Sequence, residues 1–423
     1  MKSFYLQPAL IPALKGYTKN QLVSDIIAGI IVAIIALPLS IALAMASGVA
    51  PAAGIYTAVA AGFFVSLLGG SRIQIAGPTA AFATTVAGIV ATNGLDGLFI
   101  ATIIAGVLLV LMGVFKLGSL IKYIPTSITV GFTAGIAVTI LVGQIKDFLG
   151  LQYADTVKPI ETFEKIEANI GAMSTLNWQA LLVGGVCLLI LILYPKIEKR
   201  VPPSLIAVVA GVLMVKLIPG MKGVATIRDI SVIPAGLPDI SFAGMDFSMD
   251  KILSVIPGAV TIAVLAAIES LLSCVVADGM VGAKHNSNAE LVAQGVGNIA
   301  SVLFGGIPAT GAIARTAANA KNGGRTPVAG MVHALVLLLV LLFLMPYAGW
   351  IPMPTIAAIL FMVAYNMSEW RHFVRIVKQE KWTAWSVLIL TFVLTVVFDL
   401  VVAIAVGLVL HYLFVFINKF KKD

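Results

Sequence analysis

The chain has 423 residues, 60% of them apolar and 11% charged, with a formal net charge of +8. A soluble domain carries about 45–50% apolar and about 25% charged residues, so this composition excludes an ordinary soluble enzyme and a disordered chain alike. Two cysteines, Cys187 and Cys274, both in apolar stretches, indicate neither a disulfide framework nor a metal cluster.

A helix needs roughly 20 apolar residues to cross a bilayer. In chain order, candidate spans lie at 22–46, 50–68, 77–92, 97–115, 124–147, 176–194 and 203–219. They continue at 254–277, 290–304, 314–320, 327–348, 352–366, 382–398 and 400–418. The first is too long for a cleavable leader. The third, ninth and tenth are too short to cross alone. Between spans, 147–175 reads as a polar segment with an amphipathic helix around Glu161–Ile170. The stretch 219–253 reads as an extracytoplasmic loop, and Glu369–Glu380 as a charged cytoplasmic surface helix.

Fourteen spans place both termini on one side of the membrane. Of the 27 lysines and arginines, 19 then fall on the terminal side, 7 on the other, and Arg315 is left within the membrane. Basic residues accumulate in cytoplasmic loops. The expectation is therefore a multi-pass protein of the cell membrane with both termini cytoplasmic.

An internal repeat is visible. Leu68-Gly69-Gly70 followed by Thr79-Ala80-Ala81 recurs as Phe304-Gly305-Gly306 followed by Thr316-Ala317-Ala318, and Ile124-Pro125 recurs as Ile351-Pro352. Seven spans per half is an odd number, so the halves must insert with opposite orientation. The expected division is 1–220 for the first repeat, 221–253 for a linker and 254–423 for the second. Paired, Gly/Pro-interrupted segments in inverted repeats point to the binding site of a secondary transporter.

Those segments are informative in detail. Arg72 to Ala76 alternates like a strand, and Gly77-Pro78-Thr79 opens a helix, with proline well placed near a helix start. Ile307 to Ile313 is likewise poor helix, which resumes near Ala314-Arg315-Thr316. Unwound backbone at membrane depth is tolerated only where protein or a wet cavity covers it. Two half-helices starting there would aim two positive dipole ends at one point, and such ends bind anions through their free N–H groups. Arg315 would add a full charge. Its alternative is a structural salt bridge with Glu269.

At these residues the sequence resembles the SulP family, the sulfate permease and solute-carrier-26 group of anion transporters. The matching stretches are IALPLSIALAMASGVAPAAG (Ile35–Gly54), GGSRIQIAGPTAAFA (Gly69–Ala83), IKYIPTSITVGFTAG (Ile121–Gly135), AAIESLLSCVVAD (Ala266–Asp278) and Asn288–Gly330. The first of these and LVGQIKDFLGLQ (Leu141–Gln152) look most like the family's bacterial C4-dicarboxylate transporters. The resemblance implies an all-α polytopic fold of fourteen transmembrane segments in two inverted repeats. Spans 1–4 and 8–11 would form a core domain, and spans 5–7 and 12–14 a gate domain. The substrate would sit between half-helices 3 and 10, transport would be elevator-like, and the protein would be a homodimer. Two departures stand out. Family members continue into a cytoplasmic STAS domain, whereas this chain ends at Asp423, so none is expected within it. Many members carry Gln or Glu after the span-1 proline, whereas Pro38 is followed here by Leu39-Ser40.

The expected substrate-binding residues are Gln74, Pro78, Thr79, Ala80, Ala314, Arg315 and Thr316. Glu269 is the one acidic residue deep in span 8, and intramembrane carboxylates are costly without a function. By resemblance to the family's cyanobacterial bicarbonate transporter, Glu269 and Ser273 match positions that bind sodium there. Carbonyls near Ala309 and Thr310 would complete the oxygen ligation that hard cations prefer. Glu269 could instead carry a proton. Asp278, Asn288, Glu290 and Asn298 read as caps and interhelical hydrogen bonds, and Asp399 as a cap. Histidines 285, 333, 372 and 411 are scattered, and neither a metal site nor a resident cofactor is expected. No Walker loop or nucleophile elbow occurs, so the chain is not expected to be an enzyme. The expected function is secondary active transport of small anions, a C4-dicarboxylate or sulfate, coupled to H+ or Na+. The alternatives are a bicarbonate/chloride exchanger or an uncoupled anion channel.

Overall fold

The computed structural model describes residues 6–154, 157, 159, 161–198, 201–221, 223–230, 236, 247–398 and 400–420. Asp399 lies outside them, as do most of the 221–253 linker and, from the charge count, Lys2, Lys158, Lys199, Arg200, Lys222, Lys421 and Lys422. The first half contains α1 (Leu10–Ala13), α2 (Lys19–Ala46), α3 (Pro51–Leu68), β1 (Ala76–Gly77), α4 (Ala83–Val114), α5 (Thr126–Leu149), α6 (Thr162–Gly171), α7 (Trp178–Ile197) and α8 (Pro203–Leu217). Then follow α9 (Ile227–Ile230), α10 (Met249–Val281), α11 (Ser287–Leu303), β2 (Thr310–Gly311), α12 (Ile313–Lys321) and α13 (Val328–Phe343). The chain closes with α14 (Met345–Ala348), α15 (Met353–Met367), α16 (Trp370–Gln379), α17 (Trp382–Val397) and α18 (Leu400–Phe420). Among the described residues six helices are long and apolar enough to cross a membrane.

The ends of these helices follow from local chemistry. Thr18 accepts a hydrogen bond from the Gln21 amide, and Asn177 and Asn286 cap α7 and α11 in the same way. Glu161 and Glu164 form a capping box at the start of α6, where the amphipathic helix was expected. The third and fourth expected spans fall in one run, α4, but Gly94 breaks it with φ 72° and ψ −172°. Only a glycine adopts that conformation without strain, so the chain turns there between two helical pieces. The eleventh expected span is also interrupted, between α13 and α14.

Two packing groups result. In one, α11 packs on α3 and α4, α10 on α4, and α13 on α2 and α3. In the other, α5 packs on α15 and α17, and α7 on α8 and α15. Small residues set the spacing, as expected where lipid supplies no hydrophobic drive. A side chain at Gly106 would fall on the Gly295 carbonyl, so α4 and α11 cross backbone to backbone there.

A fully buried carboxylate ties the entry of α2 to the α12–α13 connection. Asp25 accepts from the Tyr17 hydroxyl (2.8 Å), the Arg325 amide (2.8 Å) and the Thr326 hydroxyl (2.5 Å). Burial and that hydrogen bond push the Tyr17 phenol up to about 12.

Candidate functional site

The two re-entrant segments meet in one small antiparallel sheet. Ala76 of β1 lies opposite Gly311 of β2, and Gly77 opposite Thr310. The Ala312 amide donates to the Ile75 carbonyl at 2.9 Å and extends the pairing. Of the strand-like stretch 72–76 only Ala76 is strand, and the strand continues into Gly77. The preceding Gly70 and Ser71 amides are taken by the Glu290 side chain instead of a ladder partner.

Each strand leads into a helix start. After β1, Thr79 is extended, Ala80–Phe82 makes one tight turn, and α4 begins at Ala83. After β2, Ala312 is extended and α12 begins at Ile313. Neither start carries a side-chain cap. First-turn amides have no partner within their own helix, so two sets of donors and two positive dipole ends flank the sheet.

The expected residues divide around it. Ala314 is exposed, so a ligand can approach the α12 start, whereas Ala80 and Thr79 are buried at the other start. Arg315 runs the opposite way from Ala314 and is 1% exposed. Its Nη2 donates to the Pro78 carbonyl, while Nε and Nη1 have no partner. A side chain at Gly77 would strike Arg315 Nη1, so glycine is required for the guanidinium to lie against β1. No ion pair joins Arg315 to Glu269, so the structural salt bridge weighed for Arg315 does not form.

Glu269 on α10 instead meets the first half-helix, accepting from the Thr79 hydroxyl at 2.9 Å. One turn on, Ser273 donates to the Thr316 hydroxyl at 3.3 Å, and Thr316 accepts from the Ile75 amide at 3.1 Å. Thr310 donates to the Ala266 carbonyl at 3.0 Å. Ala309 is held at both its amide and its carbonyl by Asn298, at 2.9 and 2.8 Å. Of the groups expected around a coupling cation, the Glu269 carboxylate, the Ser273 hydroxyl and the Ala309 carbonyl thus each have a protein partner. Gln74 is engaged by α10 and α11. It is buried, and its Nε2 donates to Ser270 and to Glu290. Among the described residues no group of three His, Cys, Asp or Glu could hold a metal ion.

Sequence reasoning placed Glu290 and Asn298 among generic interhelical bonds and missed that they grip the two re-entrant segments. The available signal was Glu290, Gln294 and Asn298 recurring every four residues along one helix. His333, fully buried on α13 with neither ring nitrogen partnered, was passed over as scattered.

Residues 22–413 match the model of the sulfate permease family. The chain is 45% identical over 414 residues to a Bacillus subtilis protein named "Putative sulfate transporter YvdB", covering 96% of this chain and 76% of that one. It is 33% identical to the bicarbonate transporter BicA of Picosynechococcus sp., covering 90% and 68%. The solved transmembrane domain of a cyanobacterial bicarbonate transporter BicA superposes with a TM-score of 0.80 at 30% identity, covering 94% of this chain and 98% of that one.

Proposed function

The chain belongs to the sulfate permease family, as an anion transporter and not an enzyme, and on that premise we propose that it carries a small oxyanion held between the starts of α4 and α12. One observation carries this reading. A single antiparallel sheet launches two uncapped helix starts, with Ala314 open on one side and Arg315 buried on the other. Backbone N–H groups receive anion oxygens, and the small side chain at Ala314 lets them come close. The buried charge of Arg315 is screened far less than a surface charge and lowers the cost of desolvating the anion.

The names of the relatives favour sulfate or bicarbonate as substrate over the C4-dicarboxylates suggested by Ile35–Gly54. The site selects for charge and for small size, since backbone donors do not distinguish tetrahedral from planar oxyanions. The two packing groups support a core of α2, α3, α4 and α10–α13 sliding against a gate of α5, α7, α8, α15, α17 and α18. That division agrees with two inverted seven-span repeats, whose antiparallel β1–β2 contact lies at their crossing. Glu269 is proposed as the coupling group, through Na+ or H+, because it touches the residue that opens the first half-helix. Cytoplasmic termini and a homodimer complete the proposal.

Purified protein in liposomes is expected to take up labelled sulfate or bicarbonate saturably, down an imposed Na+ or H+ gradient. Unlabelled sulfate, bicarbonate, chloride and fumarate serve as competitors. Uptake of none of the four anions under any gradient would overturn the transport reading. Uptake of fumarate alone would restore the dicarboxylate assignment, and chloride-driven exchange without a cation gradient would favour an exchanger.

A further inference from the structure

Strands of two residues pair too weakly to set their own register. Something else must hold β1 opposite β2, and the hydrogen bonds converge on one helix. On α11, Glu290, Gln294, Asn298 and Ser301 are all fully buried. At 100° per residue these four positions fall within about 80° of one another, so they form a single polar stripe.

The stripe grips both re-entrant segments. At one end Glu290 Oε2 accepts from the Gly70 and Ser71 amides at 3.0 and 3.2 Å, and Oε1 accepts from Gln74 Nε2 at 3.2 Å. Those residues lead directly into β1. At the other end Asn298 holds both backbone groups of Ala309, the residue before β2. Ser301 Oγ donates to the Ile307 carbonyl at 2.6 Å. Between the ends, Gln294 Nε2 donates to Glu290 Oε1 at 3.0 Å, and Asn298 Nδ2 donates to the Gln294 carbonyl at 2.8 Å. The anchors are eight residues apart, a rise of about 12 Å along a rigid helix.

We infer that α11 is the ruler of the anion site. Glu290 and Asn298 are positioning residues that fix the register of β1 on β2, and through it the separation of the two half-helix starts. Neither touches the anion. Gln74 belongs to this frame, because its Nε2 is engaged by Glu290 and Ser270 while its side chain lies across Gly311. Glycine at 311 is what allows that crossing. Glu290 also makes a demand that only a carboxylate meets. It accepts from two backbone amides, two side-chain amides and, at 3.4 Å, the Ser270 hydroxyl. A glutamine there would turn one set of acceptors into donors facing donors.

This inference rests on the anion-site reading above, and two readouts separate their failures. Glu290→Gln is expected to raise the half-saturating anion concentration about tenfold, since a buried donor set loses its acceptor, with a much smaller change in maximal uptake per folded transporter. A merely structural role would reduce the amount of folded protein and leave half-saturation untouched. Hydrogen exchange on purified protein supplies the readout that needs no transport. In Glu290→Gln, protection should fall in 69–77 and also in 307–313, the segment anchored two turns away. Asn298→Asp, which keeps the acceptor and loses the donor, should show the reverse spread, and it serves alone if Glu290→Gln does not fold. A loss confined to each variant's own segment, or an unchanged half-saturation in folded protein, would overturn the inference. Wild-type protein that moves no anion would overturn the transport reading instead and leave the exchange result to decide this one.

Discussion

Arg315→Met is expected to remove most anion uptake while leaving the protein close to wild type in stability. A guanidinium 1% exposed, with Nε and Nη1 unpartnered and no carboxylate paired to it, costs folding free energy. Replacing a buried charge that no direct ion pair compensates by an apolar side chain of similar reach removes that desolvation cost, and gives up its longer-range attraction to the Glu269 carboxylate. The other loss is one charge-assisted donor to the Pro78 carbonyl, worth about 1.5–3 kcal/mol. Function should fall. Without the charge, nothing but backbone dipoles offsets the desolvation of the anion, and uptake should fall by about 30-fold or more, the equivalent of ~2 kcal/mol. Arg315→Lys keeps the charge but loses the planar fork, and intermediate uptake is expected. Thermal unfolding and uptake measured on the same preparation separate the two effects. A stable methionine variant with wild-type uptake would remove Arg315 from the mechanism.

Glu269→Gln is expected to separate anion movement from the cation gradient. Glutamine keeps an oxygen for the Thr79 hydroxyl, so the 2.9 Å link between α10 and the first half-helix can persist while the charge is gone. An intramembrane carboxylate is costly, and its charge is what a coupling cation would use. Wild-type liposomes should accumulate anion when a Na+ or H+ gradient is imposed. Glu269→Gln liposomes should only equilibrate it, at a rate indifferent to either gradient. Thr79→Val, which removes the hydroxyl and keeps the carboxylate, should retain the gradient response with weaker anion binding. Accumulation by the glutamine variant equal to wild type would assign the carboxylate to structure.

The broken helices were legible because glycine and proline interrupt apolar runs at 69–78 and 305–311, and the two interruptions match each other. Helix starts near Gly77-Pro78 and Ala314 followed from the same residues, within a few positions of Ala83 and Ile313. What the chain order could not give was direction. Arg315 and Ala314 are neighbours in sequence, yet one points behind the sheet and the other into open space, because successive helical residues lie 100° apart. Gln74 was expected among the substrate-binding residues. It faces Glu290, 216 residues away, a partner that no local pattern reveals. The same holds for Ala309 and Thr310, whose groups are engaged by Asn298 and Ala266. Periodicity locates elements, whereas hydrogen-bond partners across the two halves depend on how α10 and α11 cross them.

The most direct test of the anion site is to locate the anion. Selenate is a tetrahedral stand-in for sulfate whose anomalous scattering marks its position in a crystal of the protein. The expected peak lies between the turn at Thr79–Ala80 that leads into α4 and the start of α12 at Ile313–Ala314, within hydrogen-bond reach of both sets of backbone amides, and it vanishes in Arg315→Met crystals. A saturating selenate soak that leaves this position empty, or that fills a different cavity, would contradict the account.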